Sequence, residues 1–375
     1  MKTNQLLLLL FCFSLTFTAC LEDKTEILYR FYSDEDYQVL SQTLDLPNEV
    51  VNYNSETDRQ FVFTPPVSNN TALLGRVLFY DHKLSKNEKV SCASCHLQDH
   101  GFADKVAFSE GFDGRLTERN SLSLSINIST YESQGIGFFW DERSNSVREQ
   151  SIETIENPIE MGMKMDELAD RLKQEEYYQI LFAKAFPSQG INKSTITSAL
   201  SSFVNSIATF DSKFDREFRQ KGTMHEDFDG FTVDENRGRA LFVANCQSCH
   251  GNMMFPSRNM ANNGLDMEYS DQGLGARTQN AHDNGVFKIP SLRNVAISGP
   301  YMHDGRFNSL MEVMEHYSEG IQEHPNLDFE LRDENAHARK MNFTSTEKAD
   351  LVAFLETLTD KTLIEDKRFS DPFIR

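Results

Sequence analysis

Two short stretches carry the residues best suited to chemistry: Cys92-Ala-Ser-Cys95-His96 and Cys246-Gln-Ser-Cys249-His250. Each reads Cys-x-x-Cys-His, the attachment pattern of a c-type haem. Two thiols at this spacing add across the two vinyl groups on one edge of a porphyrin. The adjoining imidazole then falls under the iron as its proximal ligand. A zinc half-site or a redox dithiol also uses Cys-x-x-Cys. Two copies, each with His directly after the second Cys, weigh against both alternatives. The spacing predicts two covalent haems, held by Cys92, Cys95 and His96 and by Cys246, Cys249 and His250.

The flanking sequence says what delivers the chain to these motifs. Gly75-Arg76-Val77-Leu78-Phe79 precedes the first motif and Gly238-Arg239-Ala240-Leu241-Phe242 the second, an internal repeat. Three residues separate Phe242 from Cys246, but twelve separate Phe79 from Cys92, so the first half carries a loop insertion, Tyr80 to Ser91. Each half ends in an amphipathic pattern. Ile196, Leu200, Phe203, Val204 and Ile207 share one helical face, as do Leu351, Phe354, Leu355 and Leu358. Thr344 with Glu347 three residues on predicts a capping box. Met165, Leu168 and Leu172 mark a further helix, with Asp166 and Glu167 in its first turn. A helix before the haem and a helix at the end of the unit is the arrangement of a cytochrome c fold. The expectation is an all-α protein of two cytochrome c-like haem domains packed together, residues 67–220 and 221–375. The boundary is expected in the charged stretch Arg216 to Gly230.

The chain has 375 residues and a net charge of −20, from 37 basic and 57 acidic side chains. Such a field excludes general nucleic-acid binding and steers partners with a basic docking face. Lys2, the apolar run Leu6 to Phe17 and the small residues before Cys20 read as an export signal over residues 1–20. The run is too short for a comfortable membrane span. Thr18-Ala19-Cys20 resembles a bacterial lipobox, with Phe17 where Leu is usual, so a lipid anchor on Cys20 is expected and a plain secretory signal is the alternative. An exported, periplasmic protein suits c-type haem. Residues 21–66 form an acidic arm without visible chemistry. Cys12 lies in the signal, Cys20 at its end and the other four cysteines in the haem motifs, so none remains for a disulfide.

The sequence resembles the bacterial di-haem cytochrome c peroxidase and MauG superfamily from about Leu73 to the C-terminal helix. Besides the haem motifs, the resemblance rests on Phe139-Trp140-Asp141-Glu142-Arg143, Asn157-Pro158-Ile159-Glu160-Met161-Gly162, Phe287 to Asn294 and Pro300 to Arg306. It implies that the first haem meets peroxide and the second receives electrons. It implies that Trp140, the single Trp of the chain, lies between the haems as an electron relay. It also implies that Glu160 moves the proton that O–O heterolysis requires, as a carboxylate of raised pKa in a dry pocket can. Asn120, Ser298 and Pro300 fall where the family holds a calcium ion, the latter two through backbone carbonyls, all oxygen donors of the right kind.

Departures from the family pattern carry information. Family members that need reductive activation have a His in the loop after the first haem. Phe112 stands there, and Phe cannot ligate, so the first haem is expected to be open at rest. His100 is read as a loop or propionate contact. The second haem's distal position falls on Tyr317, as in MauG-like proteins, where peroxidases usually have Met. A hard, anionic phenolate lowers an iron's potential and a thioether raises it. Met314 is the alternative ligand, and Met311 lies on nearly the same face. His303 and His316 are read as structural. Thr154 replaces a frequent Pro six residues before Glu160. The resemblance thus implies a peroxidase that reduces hydrogen peroxide with electrons from a small cytochrome c or copper protein. The alternative is a MauG-like oxidase that stores two oxidising equivalents and spends them on a protein or organic substrate. A pure electron carrier fits poorly, since carriers keep both irons six-coordinate. A homodimer is left open.

Overall fold

The computed structural model describes residues 68–125, 135–207, 209, 211–251 and 257–373. The expected export signal and the N-terminal arm lie outside the described residues. Helices dominate the described part: α1 (Asn69–Tyr80), α2 (Val147–Glu156), α3 (Met165–Leu172), α4 (Glu176–Ala185), α5 (Lys193–Ser206), α6 (Lys213–Lys221), α7 (Val233–Asn245), α8 (Gln247–His250), α9 (Leu274–Thr278), α10 (Leu310–Glu315), α11 (Ser345–Glu356) and α12 (Lys361–Glu365). The strands β1 (Met260–Ala261) and β2 (Phe287–Lys288) pair antiparallel, Met260 opposite Lys288.

The caps that the sequence advertises set the helix starts. At α11 the Glu347 amide donates to the Thr344 hydroxyl at 3.2 Å, and the Glu347 carboxylate accepts from the Thr344 amide at 2.8 Å. Thr232 and Glu235 do the same for α7. At α5 the Asn192 side chain accepts from the amides of Ser194 and Thr195. The helix expected around Met165 is α3, which buries Met165, Leu168 and Leu172.

The repeat has a physical cause that pattern reading does not reveal. α1 crosses α5, and α7 crosses α11, each pair with its backbones in near contact. A Cβ on Gly75 would lie 2.0 Å from the Ala199 carbonyl oxygen, and one on Gly238 would lie 1.9 Å from that of Asp350. Only glycine permits these crossings. One turn further on, Phe79 packs on Phe203 at 5.2 Å between ring centroids and Phe242 on Phe354 at 5.3 Å. The two helix pairs seed two separate apolar clusters, one holding Leu74, Leu78, Phe79 and Phe203, the other Phe214, Phe242, Leu351 and Phe354.

Chain and core do not divide where the sequence reading put the boundary. Phe214 and Phe218 of α6 pack in the second cluster, so the chain changes core before the Arg216 to Gly230 stretch. Behind that switch Asp215 and Arg293, both fully buried, form a bidentate pair at 2.9 and 2.7 Å. Burial would raise the Asp215 carboxyl, but the guanidinium holds it below its usual range. At the other end, α12 and the turn after it return to the first cluster through Leu363 and Phe369. There Tyr80 donates to the Phe369 carbonyl at 2.5 Å, and Arg76 donates to the carbonyls of Ser370 and Lys367 at 2.7 and 2.8 Å.

Gly238→Ala tests the close crossing. Helix propensity alone favours Ala by about 1 kcal/mol. We expect a net loss of about 2 kcal/mol or more in denaturant unfolding, because the added methyl drives α7 off α11. A gain in stability would contradict the packing argument.

Candidate functional site

Each Cys-x-x-Cys-His stretch folds into a single helical turn. The amides of Cys95 and His96 donate to the Cys92 carbonyl at 3.2 and 3.0 Å. Those of Cys249 and His250 donate to the Cys246 carbonyl at the same distances. The spacing of three and four residues therefore sets both thiols and the imidazole on one side of the turn. Each histidine has its tautomer set for ligation. His96 Nδ1 lies 2.8 Å from the Phe102 carbonyl oxygen and His250 Nδ1 3.3 Å from that of Pro290. A carbonyl can only accept, so Nδ1 carries the hydrogen and Nε2 keeps its lone pair for a metal. Burial also keeps both rings neutral, lowering His96 and bringing His250 down to about 4. The thiols run the other way: burial pushes Cys92 and Cys246 up to about 12 and Cys95 up to about 11. A redox dithiol needs a lowered thiol pKa. Among the described residues no three His, Cys, Asp or Glu side chains gather as a metal cluster.

Each motif opens onto its own cavity. The first holds about 1720 Å³ of space and the second about 1550 Å³, open solvent included. Neutral, half-buried thiols, an imidazole with free Nε2 and a large cavity beside them fit a covalently attached porphyrin at both places. His96 and His250 are the residues that would hold the irons from below.

Trp140 lines both cavities, as do Asn120, Ser121 and Leu122. The turn that presents it is bent, with Phe139 and Glu142 both in the left-handed region at φ +65° and +52°. The Arg143 guanidinium covers the Phe139 ring at 3.5 Å. A lattice of hydrogen bonds then stitches this segment to the second half. The indole N–H donates to the Asn120 carbonyl at 2.8 Å, and the Asn120 amide donates to the His303 carbonyl at 2.7 Å. The Lys288 amide donates to the Trp140 carbonyl at 2.8 Å, while its ammonium donates to the Gly137 carbonyl at 2.6 Å and meets Glu142 at 3.2 Å. Arg119 spans the seam, pairing with Asp271 at 2.7 Å and Asp141 at 2.9 Å. Sequence reading found Trp140 but gave no role to Lys288, Arg119 or Asp271, because the Arg119–Asp271 and Lys288–Gly137 contacts span more than a hundred residues.

Glu160 faces the first cavity. Asn157 Nδ2 donates to its Oε1 at 2.8 Å. Burial raises its carboxyl to about 7, against the opposing pull of Arg143 and of a hydrogen bond from Thr154. Phe112 is absent from the cavity wall. Its ring lies over Gly162, where a Cβ would meet it at 2.4 Å. His100 pairs with Asp99 at 3.1 Å, outside the cavity.

Over the second cavity, α10 gives way to a π-helical turn, His316–Gly320. Tyr317 and Met314 both line that cavity, whereas Met311 is exposed and does not. Burial pushes the Tyr317 phenol up to about 12. His316 points elsewhere, its Nε2 3.1 Å from the Asn263 carbonyl. His303 stacks on Phe287 at 3.8 Å. Asn120, Ser298 and Pro300 all line the second cavity.

A helical fold with two haem-attachment turns facing two cavities defines a c-type di-haem protein. Comparison with known proteins makes the class specific. A profile described as di-haem cytochrome c peroxidase matches residues 69–223. The chain is 34% identical to a methylamine utilization protein MauG of Methylorubrum extorquens over 298 residues, 78% of this chain and 79% of that protein. It is 30% identical to a cytochrome c551 peroxidase of Nitrosomonas europaea over 303 residues, 78% and 81% of the two chains. A crystal structure of a MauG-like protein associated with microbial copper homeostasis superposes with a TM-score of 0.71 at 34% identity, over 85% of this chain and 99% of that one. The chain belongs to the di-haem cytochrome c peroxidase and MauG family, a family of oxidoreductases with two c-type haems.

The environment of Glu160 yields a spectroscopic expectation. Infrared difference spectra across pH should show one carboxyl band titrating near pH 7, absent in Glu160→Gln. In Asn157→Ala the midpoint should move up, because a donor to the charged form is lost. A midpoint near the ordinary glutamate value would contradict the burial argument.

Proposed function

We propose that this chain reduces hydrogen peroxide to water at the first cavity and takes up electrons at the second from a small electron-donor protein, a cytochrome c or copper protein. The observation that carries this reading is Glu160, a carboxyl of raised pKa on the wall of the first cavity. When bound, the haems supply iron that takes up peroxide and passes electrons. The chain's own part is proton handling. The Glu160 carboxylate takes the proton from the near oxygen of peroxide and returns it to the far oxygen, which leaves as water when the O–O bond breaks. A group titrating near 7 suits both roles. Asn157 orients that carboxylate. Phe112, turned onto Gly162, leaves the cavity clear above His96. Trp140, shared by both cavity walls, couples the two sites.

A second reading, a MauG-like oxidase acting on a protein or organic substrate, is favoured by Tyr317 on the wall of the second cavity. Bound iron would draw the proton off the phenol, since a cation inverts the local pKa logic. The relatives named MauG support the same reading.

The two helix pairs are proposed as two cytochrome c-like haem domains, the second taking α6 and the first taking back the C-terminal turn. Asn120, with the carbonyls of Ser298 and Pro300, is proposed to hold a calcium ion beside Trp140. The protein is proposed to be exported to the periplasm, with Cys20 as lipid anchor. Among the described residues no helix is long and apolar enough to cross a membrane.

Peroxide consumption with a reduced small cytochrome c as donor tests the first reading. Glu160→Gln should lower the rate about 100-fold or more. Slow donor consumption beside a long-lived oxidised form in the wild type would give the second reading the lead. Tyr317→Met should raise the potential of the second haem in a redox titration. An unchanged potential would rule Tyr317 out as its ligand.

A further inference from the structure

Trp140 touches a set of rings that begins on the wall of the second cavity, with His303 and Phe287, and ends outside both cavities at Tyr269. Its indole meets the His303 imidazole edge-on, at 6.5 Å between centroids and 74° between planes. His303 in turn lies 6.5 Å from the Tyr269 ring, and Phe287 bridges the two, 3.8 Å from His303 and 6.1 Å from Tyr269. Tyr269 also meets His324 edge-on at 5.2 Å. The rings form an unbroken path from a buried tryptophan to a half-buried tyrosine. The loop bearing that tyrosine is at the surface: Met267, Glu268 and Ser270 are all exposed.

Tyr269 is held in place rather than lying loose on the surface. The Leu265 amide donates to its hydroxyl at 2.9 Å, and the hydroxyl donates to Asn262 Oδ1 at 3.2 Å. Its ring presses on Gly285, where a Cβ would meet ring carbons at 2.5 Å. It lines neither cavity, so haem packing does not account for it.

We propose that Tyr269 is an exit for an oxidising equivalent: it reduces Trp140 after the peroxide reaction has oxidised that indole by one electron. The inference rests on the peroxide reading of the first cavity, with hydrogen peroxide as the oxidant. The Trp140 N–H donates to a backbone carbonyl, which cannot take a proton, so the oxidised indole keeps its hydrogen and stays cationic. It accepts one electron from Tyr269 and returns to neutral tryptophan. The half-buried phenol loses that electron; the Asn262 amide oxygen that holds its O–H cannot keep the proton, which passes on to water and leaves a neutral tyrosyl radical. Burial raises the phenol, so it starts protonated and the step carries one electron and one proton. The equivalent is then at the surface, within reach of an external one-electron donor.

The test mixes the holoprotein with hydrogen peroxide, without donor, and freezes it for electron paramagnetic resonance. Tyrosine is supplied with or without ring deuterium. The expected radical signal narrows with deuterated tyrosine and is lost in Tyr269→Phe, while the haem absorbance of that variant still responds to peroxide. A narrowing signal that persists in Tyr269→Phe places the radical on another tyrosine and overturns the proposal. A haem response with no tyrosine-derived signal overturns it as well. If peroxide leaves the wild-type haem spectrum unchanged, the reading of the first cavity fails, and the exit falls with it.

Discussion

The arrangement depends on the seam that fixes Trp140 between the two cavities. A large aromatic side chain can be core and contact at once only if both sides of it are held. Here residues 137–142, with Arg119 and Asn120, supply the ring and its near support, and the segment from Asp271 to His303 supplies the partners. Backbone donors and acceptors carry most of the seam, through Asn120, Trp140, His303 and Lys288. The buried ammonium of Lys288 has its charge met by Glu142 and a carbonyl, which a desolvated cation requires. The Arg119 fork adds a polar lock across the same line. Because these groups are satisfied by one another, the two halves cannot slide without stranding several of them.

Each half repeats one solution to a local problem. A c-type haem must be flanked by apolar walls and held from below by a neutral imidazole. The chain achieves the first by crossing two helices at a glycine, Gly75 or Gly238, so that Phe79 or Phe242 packs into the gap. It achieves the second by burying the histidine and turning its Nδ1 hydrogen to a backbone carbonyl. The halves differ where their chemistry differs. The first cavity carries a carboxyl lifted towards neutrality by burial. The second carries the Met314 thioether at the end of α10 and the Tyr317 phenol on the π-helical turn that follows, which re-aims side chains that an unbroken α-helix would present differently.

The legible parts of this protein were those set by short-range spacing. Cys-x-x-Cys-His, the Thr344–Glu347 cap, the apolar faces of α5 and α11 and the Gly-Arg-x-Leu-Phe repeat can all be read within a dozen residues, because one helical turn or one face determines them. Family resemblance extended this reading to Trp140, Glu160 and Tyr317 as positions. It did not reach the surroundings that give those positions their properties. The switch of core at Phe214 was missed because a charged, amphipathic helix looks the same whichever core its apolar face meets.

By itself, then, the sequence determined the attachment chemistry, the helical class and the twofold plan, since covalent spacing and helical periodicity are local. Only the tertiary structure decided that Trp140 is shared by both cavities, that Phe112 turns away onto Gly162 and that Asn157 holds Glu160. It also decided that the C-terminal turn returns to the first core. Each of these depends on which distant side chain removes water from a group or meets its hydrogen bond. Burial and pairing across long sequence separations belong to the folded chain alone.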